Sequence, residues 1–195
     1  MKRQQPLRIL LYGAECTGKS TLGQALARHY QCQYVAEYAR TYAEQKLPAM
    51  LEEDDAIEIA RGQARAEAEA YRQAAREEQS VVIVDTDARM SWMYCELFFD
   101  HADPWIVHRA LHMHYDLVIF TAQDQIPWQT DPVRSPRDPR FIQTGQLRYL
   151  LQMTGHLNEP LLPVSGTIEQ RLAKSIAFID TLLHARKQDG RGTHA

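Results

Sequence analysis

Long hydrophobic runs are missing from this chain. Its longest purely aliphatic stretch, Val81 to Val84, falls far short of the ~18 residues that span a bilayer. Cysteine is scarce. Cys16, Cys32 and Cys95 are odd in number and widely spaced, so they build neither a disulfide framework nor a zinc pattern, and they suit a reducing compartment. Met1-Lys2-Arg3 is basic, but no apolar stretch of signal-peptide length follows it. An excess of one charge is also lacking. Twenty-two Lys and Arg against 25 Asp and Glu leave a net charge of −3, which speaks against a protein that coats DNA. There is no internal repeat and no linker that would divide the chain. Together these absences lead us to expect a soluble, cytoplasmic protein with no membrane partner. It should hold a single domain over residues 1–186, followed by a flexible polar tail at 187–195.

What is present suffices for one core: 45% of the 195 residues are hydrophobic and 24% are charged. Leu7 to Tyr12, Val81 to Val84 and Leu117 to Thr121 are short apolar runs bounded by polar or turn residues. They lack period-two alternation and therefore read as buried strands. Gln33 to Ala36 and Leu161 to Val164 are weaker strand candidates. Residues 54 to 79 carry an apolar stripe at Ile57, Ala60, Ala64, Ala68, Tyr71 and Ala75, spaced as on a helix. A last helix is expected from about Ile168 to Ala185. Strands alternating with helices predict an α/β domain. We expect five mostly parallel strands with helices on both faces, and the second and third strands on one side of the first.

One segment breaks this rhythm. Residues 127 to 140 contain Pro127, Pro132, Pro136 and Pro139 among Arg134, Arg137 and Arg140. That proline density excludes an ordinary helix or central strand and predicts an irregular functional loop, a lid at about 127–140.

The strongest motif is Gly13-Ala14-Glu15-Cys16-Thr17-Gly18-Lys19-Ser20, followed by Thr21, which satisfies G-x-x-x-x-G-K-[ST] in full. Its glycines let the backbone wrap a phosphate with N–H groups pointing inward, and the following helix adds its positive end. Lys19 is expected to reach the β- and γ-phosphates and Ser20 to ligate Mg²⁺. A strand before the loop and an amphipathic helix after it (Leu22, Ala25, Leu26) give the motif its required context. We therefore expect a P-loop nucleotide-binding protein that uses ATP and Mg²⁺. Cys16 sits inside the loop, where inward-pointing amides and Lys19 would lower a thiol pKa; a small side chain that merely fits is the plainer reading.

Three kinds of P-loop protein then compete. A GTPase needs N-K-x-D, which occurs nowhere in the sequence. Motor ATPases usually work in oligomers with an accessory domain, for which the chain leaves little space; a regulatory ATP-binding module that acts on a protein partner stays open as the alternative to a kinase. A small-molecule kinase needs a carboxylate for the metal, another for the acceptor hydroxyl, and cations over the transferring group. Asp85 directly follows a predicted strand and is the metal candidate. Asp87, and Glu37 at the end of the predicted second strand, are the acceptor-side candidates, at the edge where such sheets bind ligands. Arg134 and Arg137 are the mobile cations. The same arginines lack the interleaved aromatics of a nucleic-acid patch. His108 and His112 share helical i, i+4 spacing but lack the glutamate of a metalloprotease motif, and they read as a solvated helix face.

This phosphate loop, with Glu37-Tyr38-Ala39-Arg40, Asp85-Thr86-Asp87 and Pro127-Trp128 followed by Asp131 and Arg134-Ser135, resembles the ribosylnicotinamide kinase domain of NadR-type proteins. Gly62-Gln63 in the long helix adds to the likeness, which runs from about Leu7 to Ile179. The resemblance implies a nucleoside/nucleotide-kinase-like fold and ATP-dependent phosphorylation of the 5′ hydroxyl of nicotinamide riboside to NMN, a step in NAD biosynthesis. It also implies that Glu37, Tyr38 and Arg40 lie on the substrate side, Asp87 near the riboside hydroxyl and Arg134 in the lid. Bifunctional members of that family carry further domains for which 195 residues leave no room, so the kinase activity alone is expected. The family also stacks nicotinamide on an aromatic just before the glutamate, where this chain has Ala36. Tyr34, Tyr38, Tyr42 and Trp92 are the candidates to replace it. The expected partner is a small nucleoside; the sequence leaves homo-oligomerisation open.

Overall fold

Five strands pair side by side into one sheet; the three central ones, Leu7–Gly13, Val81–Asp85 and Leu117–Thr121, are apolar and bury both faces, while the edge strands are only partly buried. The computed structural model describes residues 5–14, 16–46, 52–122 and 158–189. In chain order the elements are β1 (Leu7–Gly13), α1 (Lys19–Tyr30), β2 (Gln33–Val35), α2 (Tyr38–Gln45), α3 (Glu53–Arg76), β3 (Val81–Asp85), α4 (Ala88–Phe99), α5 (Pro104–His112), β4 (Leu117–Thr121), β5 (Leu161–Val164) and α6 (Ile168–Asp189). All pairings are parallel, in the order β2-β3-β1-β4-β5. The second and third strands therefore lie on one side of β1, as expected. Because the strand order reverses around β1, ligands belong in the crevice at its C-terminal end. This is the P-loop kinase fold.

The pleat sorts side chains by parity. Leu7, Ile9, Leu11, Val81, Ile83, Leu117 and Ile119 pack with Leu22, Leu26 and Ile179 on the face covered by α1 and α6. Leu10, Tyr12, Val82, Val84 and Val118 pack with Ala74, Met90, Met93 and Met113 on the opposite face. In register, Leu11 lies opposite Asp85 and Gly13 opposite Thr121. Strand pairing thus delivers the end of the phosphate-loop strand, a buried carboxylate and a hydroxyl to one edge.

Helix starts follow local chemistry. The Asp87 and Asp103 side chains accept the amide hydrogens of Arg89 and Trp105, capping α4 and α5, and Pro104 opens α5. Glu52 and Asp55 form a reciprocal capping box at α3.

Three expectations are corrected. Glu37 does not end β2, which stops at Val35; it is the N-cap of α2, because the Tyr38 amide donates to Gln63 Oε1 and turns the chain there. The buried side of α3 coincides only in part with the apolar stripe. Ala60 is buried and Ile57 and Tyr71 pack against the core, but Ala68 is exposed, and Gly62, Gln63 and Glu67 beside the stripe are buried, Gln63 meeting polar backbone from α2 and the β3–α4 turn. The last helix continues past Ala185 to Asp189, where Arg186 donates to the Gln5 carbonyl and ties the helix end to the start of the chain. The lid with Pro127, Arg134, Arg137 and Arg140, the residues beyond Asp189, and Glu15 lie outside the described residues.

Candidate active site

The phosphate loop opens where β1 runs out. Gly13 adopts φ 148°, and a Cβ there would lie 2.7 Å from the Thr121 carbonyl oxygen, so only glycine passes this point. Gly18, at φ 77°, is the N-cap of α1. It offers no capping side chain, and the first turn of α1 carries no acid. The first amides of α1 are thus left for an anion, and the helix dipole favours one there. Lys19 arches over the loop, its Nζ donating to the Ala14 carbonyl at 2.8 Å. Thr17 Oγ1 donates to the same carbonyl at 2.7 Å and lies 2.6 Å from Thr121 Oγ1. From behind, the buried Arg171 donates to the Thr17 and Gly166 carbonyls at 2.9 and 2.8 Å. Cys16 is half-buried in a left-handed conformation, φ 57°. Gly13, Ala14, Cys16, Thr17, Gly18, Lys19, Ser20 and Thr21 thus surround one loop, as the motif predicts.

Ser20, on the first turn of α1, donates to Asp85 Oδ2 at 2.6 Å across 65 residues of sequence. Tyr34 reaches the same oxygen from β2, its hydroxyl donating at 2.9 Å. Its ring lies against α1 at Gly23, where a Cβ would come within 2.7 Å of it. Burial and the Asp85 charge both push the Tyr34 hydroxyl pKa well above its ordinary value, so it remains a donor. Asp85 is 0% exposed, and its Oδ1 has no hydrogen-bond partner among the described residues. A buried carboxylate oxygen left open beside a serine hydroxyl is the hard-oxygen donor set that a divalent cation takes.

The two motifs expected on the acceptor side, Glu37–Arg40 and Asp85–Asp87, meet at Gln63 of α3. Gln63 is 4% exposed. Its Oε1 accepts the Tyr38 amide at 2.8 Å, and its Nε2 donates to the Thr86 and Asp85 carbonyls at 3.1 and 3.4 Å. The Tyr38 ring packs on Gly62, where any side chain would collide with it. At the far end of α2, Tyr42 and Lys46 each approach Asp55 to 2.6 Å. Burial pushes the Asp55 carboxyl up, but the Glu52 amide, Lys46 and Tyr42 outweigh it and hold the pKa below the ordinary value. Glu37 and Tyr38 are half-buried and Arg40 is exposed, at the start of α2. Among the aromatic candidates, the Tyr34 hydroxyl is committed to Asp85, and Trp92 packs partly buried near Ala60 and Ile106. The Tyr38 and Tyr42 rings lie 6.5 Å apart on α2.

Asp87 sits deeper than an acceptor-facing carboxylate would. It is 2% exposed and stands beside Arg89, with 3.4 Å between its Oδ2 and Arg89 Nε. The Arg89 guanidinium is itself held by Glu159 at 2.7 and 2.9 Å and by the Met113 carbonyl at 2.9 Å. Burial raises the Asp87 pKa, and Arg89 opposes that rise. Nearby Glu67 receives the Tyr115 hydroxyl at 3.2 Å; burial, with the Asp87 charge adding, pushes its pKa to about 7. Sequence reasoning named Tyr34 only as an aromatic face and missed its bond to Asp85, together with Thr121, Arg171 and the Arg89–Glu159 pair, because nothing local announces a partner so far along the chain. The polar flank at Gln63 and Glu67, four residues apart beside the apolar stripe, was the available signal for α3.

The AAA domain family model matches residues 8–171. The chain belongs to this AAA domain family. No curated protein matches it. Among solved structures, this AAA domain superposes on the NadR protein in complex with NR at a TM-score of 0.67 and 22% identity, covering 91% of this chain and 51% of that one. It therefore spans about half the length of that chain. Thymidylate kinase from Candida albicans matches at a TM-score of 0.65 and 15% identity, covering 91% of this chain and 92% of that one. Deoxyadenosine kinase from M. mycoides matches at 0.58 and 10%, covering 90% and 100%. At these identities the likeness is one of fold. No described helix is long and apolar enough to cross a membrane, and no group of metal-ligating side chains of three or more occurs among the described residues.

Proposed function

We propose that the protein is an ATP-dependent small-molecule kinase whose acceptor is a nucleoside, with nicotinamide riboside, phosphorylated to NMN, as the first candidate. The observation that carries this reading is the contact between Ser20 and Asp85, with Asp85 Oδ1 left open, directly beside an uncapped phosphate loop. The motif resemblance and the fold shared with NadR and two nucleoside or nucleotide kinases support it.

In this reading, Lys19 leaves the Ala14 carbonyl to meet the β- and γ-phosphates, while the loop amides hold their oxygens. Ser20 and Asp85 hold Mg²⁺, which when bound neutralises charge on the phosphates. The acceptor hydroxyl oxygen forms a bond to the γ-phosphorus as the bond to the β–γ bridging oxygen breaks, and ADP leaves. Its proton passes to a carboxylate. We assign that role to Glu37 rather than Asp87, because Glu37 is half-buried at the start of α2, whereas Asp87 is 2% exposed and engaged with Arg89. Asp87 then acts from behind, holding Arg89 and the start of α4. Tyr38 and Tyr42, one turn apart on α2, are our candidates for the aromatic face that Ala36 does not supply, and Arg40, exposed on the same helix, is the candidate cation for the acceptor. Arg134 and Arg137 cover the transferring group from the lid.

The test is ADP release with Mg²⁺-ATP across a nucleoside and nucleotide panel led by nicotinamide riboside, with thymidine, thymidylate and deoxyadenosine as further arms. Release that depends on nicotinamide riboside is expected, and Lys19→Ala should lower it about a hundredfold to a thousandfold. Turnover with another arm alone keeps the kinase and moves the substrate. ATP binding without acceptor-dependent release in any arm would overturn the reading. Within the active arm, Glu37→Ala should lower kcat far more than it raises KM.

A further inference from the structure

Gln63 spends both ends of its amide on backbone belonging to the two acceptor-side motifs. Its Oε1 takes the Tyr38 N–H at 2.8 Å, the first amide of α2, and its Nε2 serves the Thr86 and Asp85 carbonyls at 3.1 and 3.4 Å. The orientation of the amide follows from its partners, since an N–H can only donate and a carbonyl can only accept. These partners lie 25 and 22–23 residues away in sequence.

Two further observations point the same way. Thr86 is a β-branched residue at φ 65°, a left-handed conformation that costs on the order of 1–3 kcal/mol and persists only where surroundings enforce it. Its N–H donates to the Leu11 carbonyl of β1 at 3.2 Å, so its peptide units are gripped by β1 on one side and by Gln63 on the other. Next to Gln63, Gly62 keeps the helix surface bare where the Tyr38 ring rests; any Cβ at that position would strike the ring. Gly62 thus permits the close approach that Gln63 then fixes.

We propose that Gln63 is a positioning residue that keeps the Glu37–Arg40 segment and the Asp85–Asp87 segment in one register, so that the acceptor and the metal-side carboxylate meet the γ-phosphoryl together. It touches neither phosphate nor acceptor and acts through Tyr38, Asp85 and Thr86. The kinetic consequences rest on the kinase reading above; the structural coupling does not.

Gln63→Met removes the donor and the acceptor at nearly constant volume. Gln63→Glu, studied at alkaline pH where the carboxylate is ionised, keeps the acceptor for Tyr38 and removes the donor for Asp85 and Thr86. Hydrogen exchange read by mass spectrometry needs no acceptor. Gln63→Met should lose protection over residues 38–45 and 85–90 while 16–22 stay as in the unaltered protein; Gln63→Glu should lose it over 85–90 alone. Affinity for a fluorescent ATP analogue should stay within about twofold for both, since the loop is untouched. With the acceptor that turns over in the panel, Gln63→Met should raise acceptor KM and lower kcat, each by about tenfold. Gln63→Glu should lower kcat with KM near that of the unaltered protein.

Exchange that rises evenly along the chain, phosphate loop included, would show Gln63 to be a general stabiliser and overturn the proposal. So would unchanged exchange at both segments, or kinetics that do not split between the two variants. Should Gln63→Met fail to fold, the exchange pattern of Gln63→Glu decides alone. A protein with no acceptor turnover in any arm sinks the kinase reading while leaving the exchange result to judge the coupling.

Discussion

The two ends of the candidate active site are held in different ways. The phosphate end is closed in part by itself: Lys19 and Thr17 both close onto Ala14, within five residues, while Thr121, Arg171 and Asp85 reach in from elsewhere. The acceptor end is fastened by buried polar side chains from distant elements. Gln63 joins α2 to the turn after β3, Tyr34 crosses from β2 to Asp85, and Arg89 spans 70 residues to Glu159. The two local contacts onto Ala14 depend less on distant elements than the contacts at the other end do. An end built on long-range contacts can be retuned by substitutions far from the substrate, so specificity in this fold is expected to reside there.

The largest blow to the acceptor end is the removal of its buried cation. Arg89 is 1% exposed between Asp87 and Glu159, and Arg89→Met strands two carboxylates in the interior. We expect a loss of about 3–5 kcal/mol in urea unfolding. A loss under 1 kcal/mol would mean that the network is not the anchor described here.

A smaller effect of defined sign comes from Glu67. Its pKa is raised from 4.5 to about 7 by burial and the Asp87 charge. Between these values the folded protein holds a proton that the unfolded chain releases. This contribution to stability is complete below about pH 4.5, falls as pH rises, and is gone above about pH 7. Across that window the loss is on the order of 3 kcal/mol, at 1.36 kcal/mol for each pH unit separating the two values. Glu67→Gln should flatten the decline in chemical unfolding measured from pH 4.5 to 8, leaving the part that belongs to Asp87. An unaltered slope would place the proton elsewhere.

The smallest change sharpens the border between the two ends. Tyr34→Phe keeps the ring against Gly23 and removes one of the two donors on Asp85 Oδ2. We expect about 1 kcal/mol of stability to be lost and the Mg²⁺ concentration for half-maximal activity to rise, with ATP affinity in the absence of metal unchanged. An equal loss of metal-free ATP affinity would show that Tyr34 supports the loop rather than the carboxylate.

The same contrast explains what the sequence revealed. The strands and the sheet order follow from short patterns, and the structure agrees with them; the same short patterns single out the Gly13–Ser20 motif at the end of β1 and Asp85 at the end of β3. Glu37 was misread as a strand end because the bond that starts α2 comes from Gln63, 26 positions later. The apolar stripe of α3 does not reveal the burial of Gln63 and Glu67 beside it, because hydrophobic periodicity is blind to a glutamine that satisfies backbone. Asp87 is expected from its position on the acceptor side; the structure buries it beside Arg89, whose guanidinium is held by Glu159, and nothing in the local sequence announces that partner. Arg134 and Arg137 fall outside the described residues and stand on the motif alone.

The central claim is that these two ends form one phosphoryl-transfer site, and the acceptor dependence of ADP release tests it most directly. With saturating Mg²⁺-ATP, release should be slow alone, should rise in proportion to turnover of an added nucleoside, and should collapse in Lys19→Ala. Release at the same rate with and without every acceptor, in protein that still binds ATP, would contradict it.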